Sequence, residues 1–366
     1  MSGGVDSSVA ALLLDREGAE VVGLSMHLWD HDRDGTGAAV GRCCTADDLS
    51  DARRAADAVG IPHYVVNLSE RFERSVVRPF VESYLAGETP IPCLACNTDL
   101  KFVALLERAA ALGCDAVATG HYARVEREGA TGELLLLRGS DAEKDQSYFL
   151  YGLSQAQLAR ALFPLGGLHK TAVREIAREA GLASWDKPDS QEICFVPRGQ
   201  GPRDFVRREA EAFGIALASL PSALPGRIVD RNGRVLGRHD GAFPFTVGQR
   251  RGLGVAAGRP MYVLEVLPGS GDVVVGAEED LLSSEVVLRD LRFVSGRPPA
   301  EGERVLARIR SRHAEQPARF FTGGGGTGRL VFEEPVRAAA PGQSAVLLDA
   351  RRPERVLGGG VIKKGG

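Results

Sequence analysis

The first 200 residues alternate short apolar runs with amphipathic stretches. Apolar residues recur at helical spacing over 9–15, 46–59, 72–86 and 100–112, and short apolar runs at 20–26, 63–67 and 116–119 predict strands between them. Buried strands separated by helices are typical of a parallel sheet with helices on both faces. The pattern therefore predicts an α/β domain whose ligands lie beyond the carboxyl ends of the strands.

The pattern changes after residue 197. Turn residues cluster over 197–202, and one predicted helix over 204–213 is followed by short alternating segments. Asn232-Gly233 lies between two such segments and predicts a two-residue hairpin. Strands are predicted over 227–230, 235–237, 261–266, 272–275, 285–288, 304–309, 319–321, 329–333 and 344–348. Their spacing indicates small barrels or sandwiches.

Length and charge narrow the class of protein. A chain of 366 residues is long enough for two or three domains, each with its own core. Residues 1–200 carry 20 basic and 29 acidic side chains, a net charge of −9, whereas residues 201–366 carry 25 and 19, a net charge of +6. This unequal charge is explained if residues 201–366 bind a polyanion, and it is explained equally well by an ordinary solvated surface.

The apolar runs and the cysteines indicate the cellular compartment in which we expect the protein. No apolar run approaches the ~18 residues of a membrane helix and no signal peptide is recognisable, so we expect a cytoplasmic protein without membrane contact. Six cysteines are too few for a disulfide scaffold here, and grouped cysteines in a reducing compartment are more often catalytic or metal-binding. They are Cys43, Cys44, Cys93, Cys96, Cys114 and Cys194.

A glycine- and serine-rich loop opens the chain. Its glycines allow close backbone approach to an anion, its serines add hydroxyl donors, and the helix that follows presents N–H groups. The lysine of a Walker P-loop is missing; the pattern is instead typical of pyrophosphate loops in enzymes that split ATP between its α and β phosphates. Asp6 would then face Mg²⁺, which offsets the charge of the leaving pyrophosphate. The loop consists of Ser2, Gly3, Gly4, Val5, Asp6, Ser7 and Ser8.

Two later segments carry thiols. Cys93 and Cys96 form a C-x-x-C pair at the start of a predicted helix, and Cys194 lies in the segment 190–195. Two separated thiols beside an adenylating loop suggest sulfur transfer, in which one carries a persulfide and the other attacks or resolves it. A buried core thiol at Cys194 fits its spacing equally well.

Nine ordered motifs resemble those of one enzyme family, the tRNA-specific 2-thiouridylases, which make 2-thiouridine at the wobble position. The motifs are SGGVDSS, GLSMHLW, the CN of PCLACN with the following LKF, ATGHYAR, KDQSYFL, SQEICF, TVGQRRGLG, APGQSAVLL and LGGGVI. The resemblance implies a Rossmann-like adenine nucleotide alpha hydrolase domain with a parallel sheet, a small central domain and a C-terminal β-barrel. These would span residues 1–198, 199–268 and 269–366.

The resemblance also implies roles for individual residues. Cys96 would be the nucleophile and Cys194 the persulfide carrier, and the two would form a transient disulfide. Ser2 to Ser8, with Met26 and Gly120, would bind ATP, and Ile91, Pro92 and Cys93 would contact the target base. The tRNA contacts would be His121, Lys144, Asp145, Gln146, Arg310, Ser311 and Gln343. A core role for Met26 and a structural role for His121 remain alternatives.

The implied reaction has two steps. ATP adenylates O2 of the wobble uridine, and sulfur from the Cys194 persulfide then displaces AMP to give 2-thiouridine, AMP and pyrophosphate. The cofactors implied by the resemblance are ATP and Mg²⁺. Partners are tRNA and an upstream persulfide donor or relay protein.

Three features depart from the family pattern. The family has a strand directly before its pyrophosphate loop, whereas this sequence begins within the motif, so we expect an upstream extension to stabilise the loop. Ile91 stands where Asn is common, which removes a polar contact near the base. Ser311 stands where an aromatic residue is common, which weakens one implied tRNA contact.

Three alternatives compete with sulfur transfer by a persulfide. A structural zinc site would use Cys43, Cys44, Cys93 and Cys96, although adjacent cysteines rarely bind one zinc ion. An iron–sulfur cluster would use Cys93, Cys96 and Cys194 and deliver sulfide from an open iron. The third alternative is another pyrophosphate-loop synthetase with a small-molecule acceptor, against which the basic second half argues.

Overall fold

The computed structural model describes residues 1–30, 46–189, 193–197, 199 and 201–364. Helices in this part are α1 (Val5–Arg16), α2 (Ala46–Val59), α3 (Ser69–Phe72), α4 (Arg78–Leu85), α5 (Pro92–Ala95), α6 (Phe102–Ala111), α7 (Gln155–Leu158), α8 (Lys170–Glu179) and α9 (Pro202–Ala212). Two π-helical turns, Glu73–Val77 and Cys96–Lys101, join α3 to α4 and α5 to α6. Short 3₁₀ turns lie at Ser147–Phe149, Leu217–Ser219, Pro221–Ala223, Glu279–Leu281 and Gly324–Gly326.

The first region is α/β with parallel strands, as predicted. Its strands are β1 (Gly23–His27), β2 (His63–Asn67), β3 (Val117–Ala118), β4 (Ala123–Arg127), β5 (Leu134–Arg138) and β6 (Ala161–Leu162). β1 pairs in parallel with β2, and β3 pairs in parallel with β6. One face of α1 packs on α8 around Val9 and Val173, both fully buried. The amphipathic period predicts α2 and β2 with the bounds observed, whereas α1 begins earlier than predicted because the loop residues form its first turn.

A four-stranded sheet forms the middle region. Its strands are β7 (Gly226–Val229), β8 (Val235–His239), β9 (Tyr262–Leu267) and β10 (Asp272–Gly276), in the order β8-β7-β10-β9. β7 and β8 form the hairpin that Asn232-Gly233 predicts. β10 lies beyond the predicted boundary at residue 268, yet it pairs with both β7 and β9. The strand pairing therefore extends this sheet to Gly276.

The last region is a closed barrel of six strands. They are β11 (Leu282–Phe293), β12 (Glu303–Arg308), β13 (Gln316–Thr322), β14 (Gly328–Arg337), β15 (Ser344–Asp349) and β16 (Arg355–Ile362). The order β11-β14-β13-β12-β15-β16 closes by pairing β11 with β16. A Cβ on Gly358 would lie 2.3 Å from the carbonyl oxygen of Arg292, so glycine permits the close approach of these two strands.

The α/β region and the barrel share one sheet. The hairpin β4–β5 adds to β16, with Leu136 opposite Val356. Apolar side chains from both regions, including Tyr148 and Val346, pack in one buried cluster beside it. This hairpin, α8 and β16 are absent from the sequence prediction. Among the described residues, no helix combines the length and apolar character that a membrane crossing requires.

Candidate nucleotide and thiol site

The opening loop places a helix N-terminus beside α2. Gly4 is the N-cap of α1 in extended conformation, and no side chain caps the helix. Gly3 has φ +71°, and a Cβ there would lie 2.3 Å from the carbonyl oxygen of Asp48. Glycine is therefore required both for the backbone conformation and for the close approach to α2. The N-terminus of α1 is a favourable place for phosphate.

Serine hydroxyls hold the loop in shape. Ser2 donates its backbone N–H to the Ser7 hydroxyl at 3.0 Å, and the two hydroxyls are 3.2 Å apart. The Ser8 hydroxyl donates to the Gly4 carbonyl at 3.0 Å. These bonds fold the loop back on the first turn of α1.

Gly120 packs directly on this loop. A Cβ at Gly120 would lie 2.7 Å from the carbonyl carbon of Asp6 and 2.8 Å from the nitrogen of Ser7. Contacts that short do not occur in folded proteins without displacement. Gly120, which follows β3, therefore packs directly against the loop backbone because it has no side chain.

The Asp6 carboxylate is held by two residues that the sequence analysis missed. Lys170 Nζ lies 2.7 Å from Oδ1 and 2.8 Å from Oδ2 of Asp6. Tyr122 donates its hydroxyl to Oδ1 at 2.8 Å. Burial, followed by the neighbouring Asp6 charge, raises the pKa of Tyr122, so its hydroxyl stays protonated as a donor. Lys170 opens α8, an element that the sequence pattern did not predict.

Lys170 also binds a second carboxylate, Asp189. Its Nζ lies 2.8 Å from Oδ1 of Asp189, and its side chain is only 9% exposed. Lys144 Nζ lies 2.8 Å from Oδ2, and Arg174 lies 3.4 Å from Oδ1. Burial raises the pKa of Asp189, but hydrogen bonds from Lys144 and Lys170 outweigh it, so the net shift is downward. The carboxylate is therefore charged at neutral pH.

A neighbouring lysine ties the same segment to the loop. Lys187 Nζ lies 3.2 Å from the Gly3 carbonyl oxygen, 2.7 Å from Asp48 and 2.6 Å from Asp51. The segment 187–189 thus contacts the loop region through Lys187 and through the Asp189–Lys170 pair. Two of these contacts are ion pairs with α2, whose first turn is acidic.

The cysteines differ in exposure. Cys96 opens the π-helical turn and is 6% exposed, whereas Cys93, one turn earlier, is exposed. Cys96 belongs to a buried cluster with Trp29, Phe72 and Phe195, and the partly buried Cys194 packs against the same cluster. The fold thus brings both thiols of the predicted pair to one apolar region.

In the described ranges, no three His, Cys, Asp or Glu side chains are close enough to share one metal ion. Cys43 and Cys44, which the zinc alternative needs, lie outside these ranges. Mg²⁺ commonly uses one or two carboxylates together with substrate phosphates. Asp6 is the one carboxylate of the loop, and it would serve as such a ligand only on release of the Lys170 ammonium, which binds both of its oxygens.

The segment before Cys93 is held by both downstream regions. Thr89 donates its N–H to the Pro341 carbonyl at 2.8 Å, and Gln343 Nε2 donates to the Thr89 carbonyl at 2.6 Å. The Thr89 hydroxyl donates to Thr246 at 3.0 Å. Ile91 packs against the buried cluster that contains Tyr148 and Val346, and Pro92 is itself buried. Of the three residues implied to contact the base, only Cys93 is exposed.

Similarity to known proteins decides the family. The tRNA methyl transferase HUP domain family matches residues 1–198, the tRNA methyl transferase PRC-barrel domain matches 217–277, and the aminomethyltransferase beta-barrel domain matches 283–362. A protein from Solibacter usitatus, named tRNA-specific 2-thiouridylase MnmA, is 50% identical over 99% of this chain and 98% of its own. Proteins of the same name from Acidobacterium capsulatum and Koribacter versatilis are 49% and 47% identical, each over 99% of this chain and 97% of its own.

This chain belongs to the tRNA-specific 2-thiouridylase family. Among solved structures, an NMN synthetase from Francisella tularensis aligns with 58% of this chain and 74% of its own, at 18% identity and a TM-score of 0.33. That likeness is too remote to carry an argument. The names of the first two matched domain families refer to methyl transfer. The relatives that are similar over the whole chain are instead named for thiolation of tRNA.

Residues with implied tRNA contacts in the 2-thiouridylase family make protein contacts here. Lys144 pairs with Asp189. Asp145, whose side chain is 1% exposed, pairs with Arg138 at 3.2 Å and with Arg308 at 3.5 Å. Gln146 exchanges two hydrogen bonds with the backbone of Tyr122, at 3.1 and 2.9 Å. The triplet therefore links the loop, the segment before Cys194 and the barrel.

The remaining implied contacts lie elsewhere on the 2-thiouridylase fold. The His121 ring forms a 2.8 Å hydrogen bond with the Thr119 hydroxyl and packs against the rings of Phe102 and Phe163. Arg310 donates to carbonyls of Val247 and Ala338, which join the middle region to the barrel. The Ser311 carbonyl accepts from Arg308. Met26, in β1, is partly buried against the cluster that contains Cys96.

Proposed function

We propose that this chain is an ATP-dependent tRNA 2-thiouridylase that works through a persulfide. The observation that carries the proposal is the placement of Cys96 and Cys194, distant in sequence, at one apolar cluster. The segment 187–189, which precedes Cys194 in the sequence, is tied to a loop suited to phosphate. Identity of about half over the whole length with proteins named for this activity supports the same assignment.

In the first step, O2 of the target uridine attacks the α phosphorus of ATP. A new O–P bond forms, and the bond to the β phosphate breaks to release pyrophosphate. The α1 N-terminus and the loop hydroxyls would hold the phosphates, and Asp6 would hold Mg²⁺, which supplies charge compensation when bound. Uridine O2 thereby becomes part of a good leaving group, AMP.

In the second step, the terminal sulfur of a Cys194 persulfide attacks C2 of the base and AMP departs. The Cys96 thiolate then attacks Sγ of Cys194, the S–S bond to the transferred sulfur breaks, and its electron pair stays on the base sulfur. The products are 2-thiouridine and a Cys96–Cys194 disulfide, for which the Cα atoms must approach to ~4.4–6.8 Å. A thiol reductant and a persulfide donor protein restore the enzyme in the cytoplasm.

The target base must leave its stack in the anticodon loop to reach the thiols. The basic excess of residues 201–366 would hold the tRNA phosphates, so binding should weaken as salt rises. His121, Lys144, Arg310 and Gln343 remain proposed contacts with tRNA. Ile91, Pro92 and Cys93 remain proposed neighbours of the base, and of these only Cys93 is exposed to solvent.

Three single substitutions test the persulfide reaction. Cys96→Ser and Cys194→Ser should each abolish thiolation of unmodified tRNA while ATP and tRNA still bind. Cys93→Ser is the matched control, one helical turn from Cys96, and should keep activity. After one turnover without reductant, peptide mapping should find the Cys96–Cys194 disulfide.

Anaerobic purification with iron analysis distinguishes the cluster alternative. An enzyme that contains iron, requires Cys93 and never forms the disulfide would reject the persulfide reaction in favour of a cluster on Cys93, Cys96 and Cys194. An enzyme that adenylates a small molecule and binds no tRNA would reject both.

Asp6→Asn tests the adenylation step by itself. Loss of the carboxylate charge should lower ATP–pyrophosphate turnover about 100-fold or more, by analogy with other transition-state charge contacts. Affinity for tRNA should be nearly unchanged. Full turnover in the Asn variant would reject the role of Asp6.

A further inference from the structure

The arginines in the second half of the chain fall into two groups. More than half of those after residue 200 pair with a carboxylate, so their charge is largely compensated within the protein. Three arginines in the loop between β8 and β9 differ, because they are exposed and none of them forms an ion pair in the described part of the chain. Asp280, whose carboxylate is influenced by the charge of Arg259, already pairs with Arg231. The three are Arg250, Arg251 and Arg259.

The loop that carries these arginines is anchored at its base. Gly248 donates its N–H to the Val263 carbonyl at 2.8 Å, and the Val263 N–H donates to the Gln249 carbonyl at 2.9 Å. Gln249 Nε2 donates to the Arg251 carbonyl at 2.9 Å. Two apolar residues of the loop are buried in the core of the middle sheet, namely Leu253 and Met261. A surface held in this way loses little conformational freedom when a ligand binds.

The loop lines a cavity of about 390 Å³ that carries positive charge. Arg250 and Arg259 both line it, and the other lining residues that the structure describes are glycines and apolar residues without a carboxylate. The positive charge of these two side chains is therefore free to attract an anion. The planar guanidinium group matches the oxygens of a phosphate, with which it forms charge-assisted hydrogen bonds.

The arginine loop begins at a contact with the segment before Cys93. Thr89 donates its hydroxyl to that of Thr246 at 3.0 Å. Arg250 lies four residues after Thr246, and Cys93 lies four residues after Thr89. Four residues span at most about 14 Å, so neither of these two Cα separations exceeds that distance. The free arginines and the exposed thiol are therefore both close to one contact between two regions of the fold.

We propose that Arg250, Arg251 and Arg259 form a binding site for backbone phosphates of the tRNA whose wobble base reaches the thiols. The inference rests on the proposed function, because it names the surface that holds the substrate of that reaction. Phosphate contacts position a nucleic acid without reading its sequence, so these arginines fix where the anticodon arm lies. Arginines that pair with carboxylates contribute less, because their partners repel the same phosphates.

The salt dependence of tRNA binding tests this site. Arg250→Gln, Arg251→Gln and Arg259→Gln are combined in one chain, and its affinity for an unmodified tRNA transcript is measured by fluorescence anisotropy between about 0.05 and 0.3 M KCl. Each phosphate contact contributes about 0.7–0.9 to the slope of log affinity against log salt concentration, so the slope should fall by about 2–3. The affinity at low salt should fall about tenfold or more.

A second triple variant controls for total charge. Arg304→Gln, Arg329→Gln and Arg352→Gln remove the same three charges from partly exposed arginines that each pair with a glutamate. The slope should change by less than about 1, because these charges are already compensated.

A third variant tests the charge itself, and ATP binding tests the fold. Arg250→Lys, Arg251→Lys and Arg259→Lys keep all three charges and should keep most of the wild-type slope. The affinity for ATP, measured by isothermal titration, should equal the wild-type value in every variant. Equal ATP affinity shows that each chain is folded and that the arginine site does not take free nucleotide.

Three results would overturn the phosphate site. The first is a wild-type slope in the variant without Arg250, Arg251 and Arg259. The second is an equal loss of slope in the variant of the three paired arginines, because total charge would then explain binding. The third is a loss of ATP affinity with unchanged tRNA affinity, which would assign the site to free nucleotide.

Failure of the proposed function gives a different result. A wild-type chain that binds tRNA with the arginine-dependent slope but never thiolates it would reject the proposed function and support the phosphate site. A wild-type chain that binds no tRNA would reject both.

Discussion

Gln343 of the barrel donates a 2.6 Å hydrogen bond from Nε2 to the carbonyl of Thr89, the residue that leads into the thiol segment. The neighbouring Gly342 has φ +86°, and a Cβ there would lie 2.8 Å from the Thr89 nitrogen. The backbone of Thr89 also donates to Pro341. A turn of the barrel therefore fits against the strand-like approach to Cys93 and Cys96.

Gln343→Glu should uncouple this turn from the thiol segment. A carboxylate cannot donate to the Thr89 carbonyl, so the bond is lost and two acceptors face each other, at a cost of about 1–3 kcal/mol. We expect faster Cys96 alkylation without tRNA, lower thiolation, and unchanged ATP–pyrophosphate turnover. Gln316→Glu, on the same barrel and without a side-chain hydrogen bond in the described part of the chain, serves as control. Unchanged Cys96 reactivity in the Gln343 variant would show that this hydrogen bond does not restrain the thiol segment.

Gly120→Ala should displace the nucleotide loop. The added Cβ meets backbone atoms of Asp6 and Ser7 at under 3 Å, and backbone cannot move as a flexible side chain does. Such overpacking costs roughly 1–3 kcal/mol, and ATP affinity should fall with it. Isothermal titration with ATP gives the affinity. Gly129→Ala is the control, because a Cβ there meets nothing within 4 Å; equal losses in both variants would argue against the contact.

Asp145→Asn should weaken the fold more than tRNA binding. The buried carboxylate accepts from Arg138, Arg308 and the backbone N–H groups of Gly139 and Ser147. Loss of its charge removes one of the two carboxylates that pair with these guanidinium groups, because Glu315 still lies 2.9 Å from Arg138 and 4.0 Å from Arg308. The free energy of unfolding should fall by about 1–3 kcal/mol. Urea unfolding measures this.

The exposed Asp115 provides the comparison. Asp115→Asn should leave the unfolding free energy unchanged. An Asp145→Asn protein of wild-type stability that binds tRNA poorly would instead assign this carboxylate to the RNA interface.

His121 should make stability depend on pH. Burial, followed by the charge of Lys101, lowers the pKa of His121 to about 3, whereas the unfolded chain has the ordinary value near 6.5. The unfolded state therefore binds a proton at His121 in a pH range where the folded state does not. The free energy of unfolding is highest well above pH 6.5 and falls as pH decreases through that value. The loss amounts to roughly 1.6 kcal/mol between pH 6.5 and 5.

The measurement compares urea unfolding of wild type and His121→Gln at these two pH values. The variant should show a shallower fall. His63, His239 and His313, whose pKa values burial also lowers, act in the same direction in both proteins and cancel in the comparison. Equal slopes would show that His121 takes up its proton normally.

The sequence by itself determined the local elements and the chemistry of the loop. Apolar spacing predicts α2 and β2 at their observed bounds, and Asn232-Gly233 predicts the β7–β8 hairpin, because these depend on the period of neighbouring residues and on backbone preferences of single residues. The glycines and serines of the loop indicate a phosphate site for the same reason. Ordered motifs indicate the family that the full-length relatives confirm.

Only the tertiary structure decided which distant residues meet. Closure of β11 on β16, addition of the β4–β5 hairpin to the barrel, and the arrival of Lys170 between Asp6 and Asp189 join parts of the chain that share no local pattern. Strand pairing and ion pairing over such separations depend on how buried faces and charges fit after collapse. A one-residue change of strand register would give each strand residue a different partner. These contacts therefore follow from the packed fold and not from the sequence of any single segment.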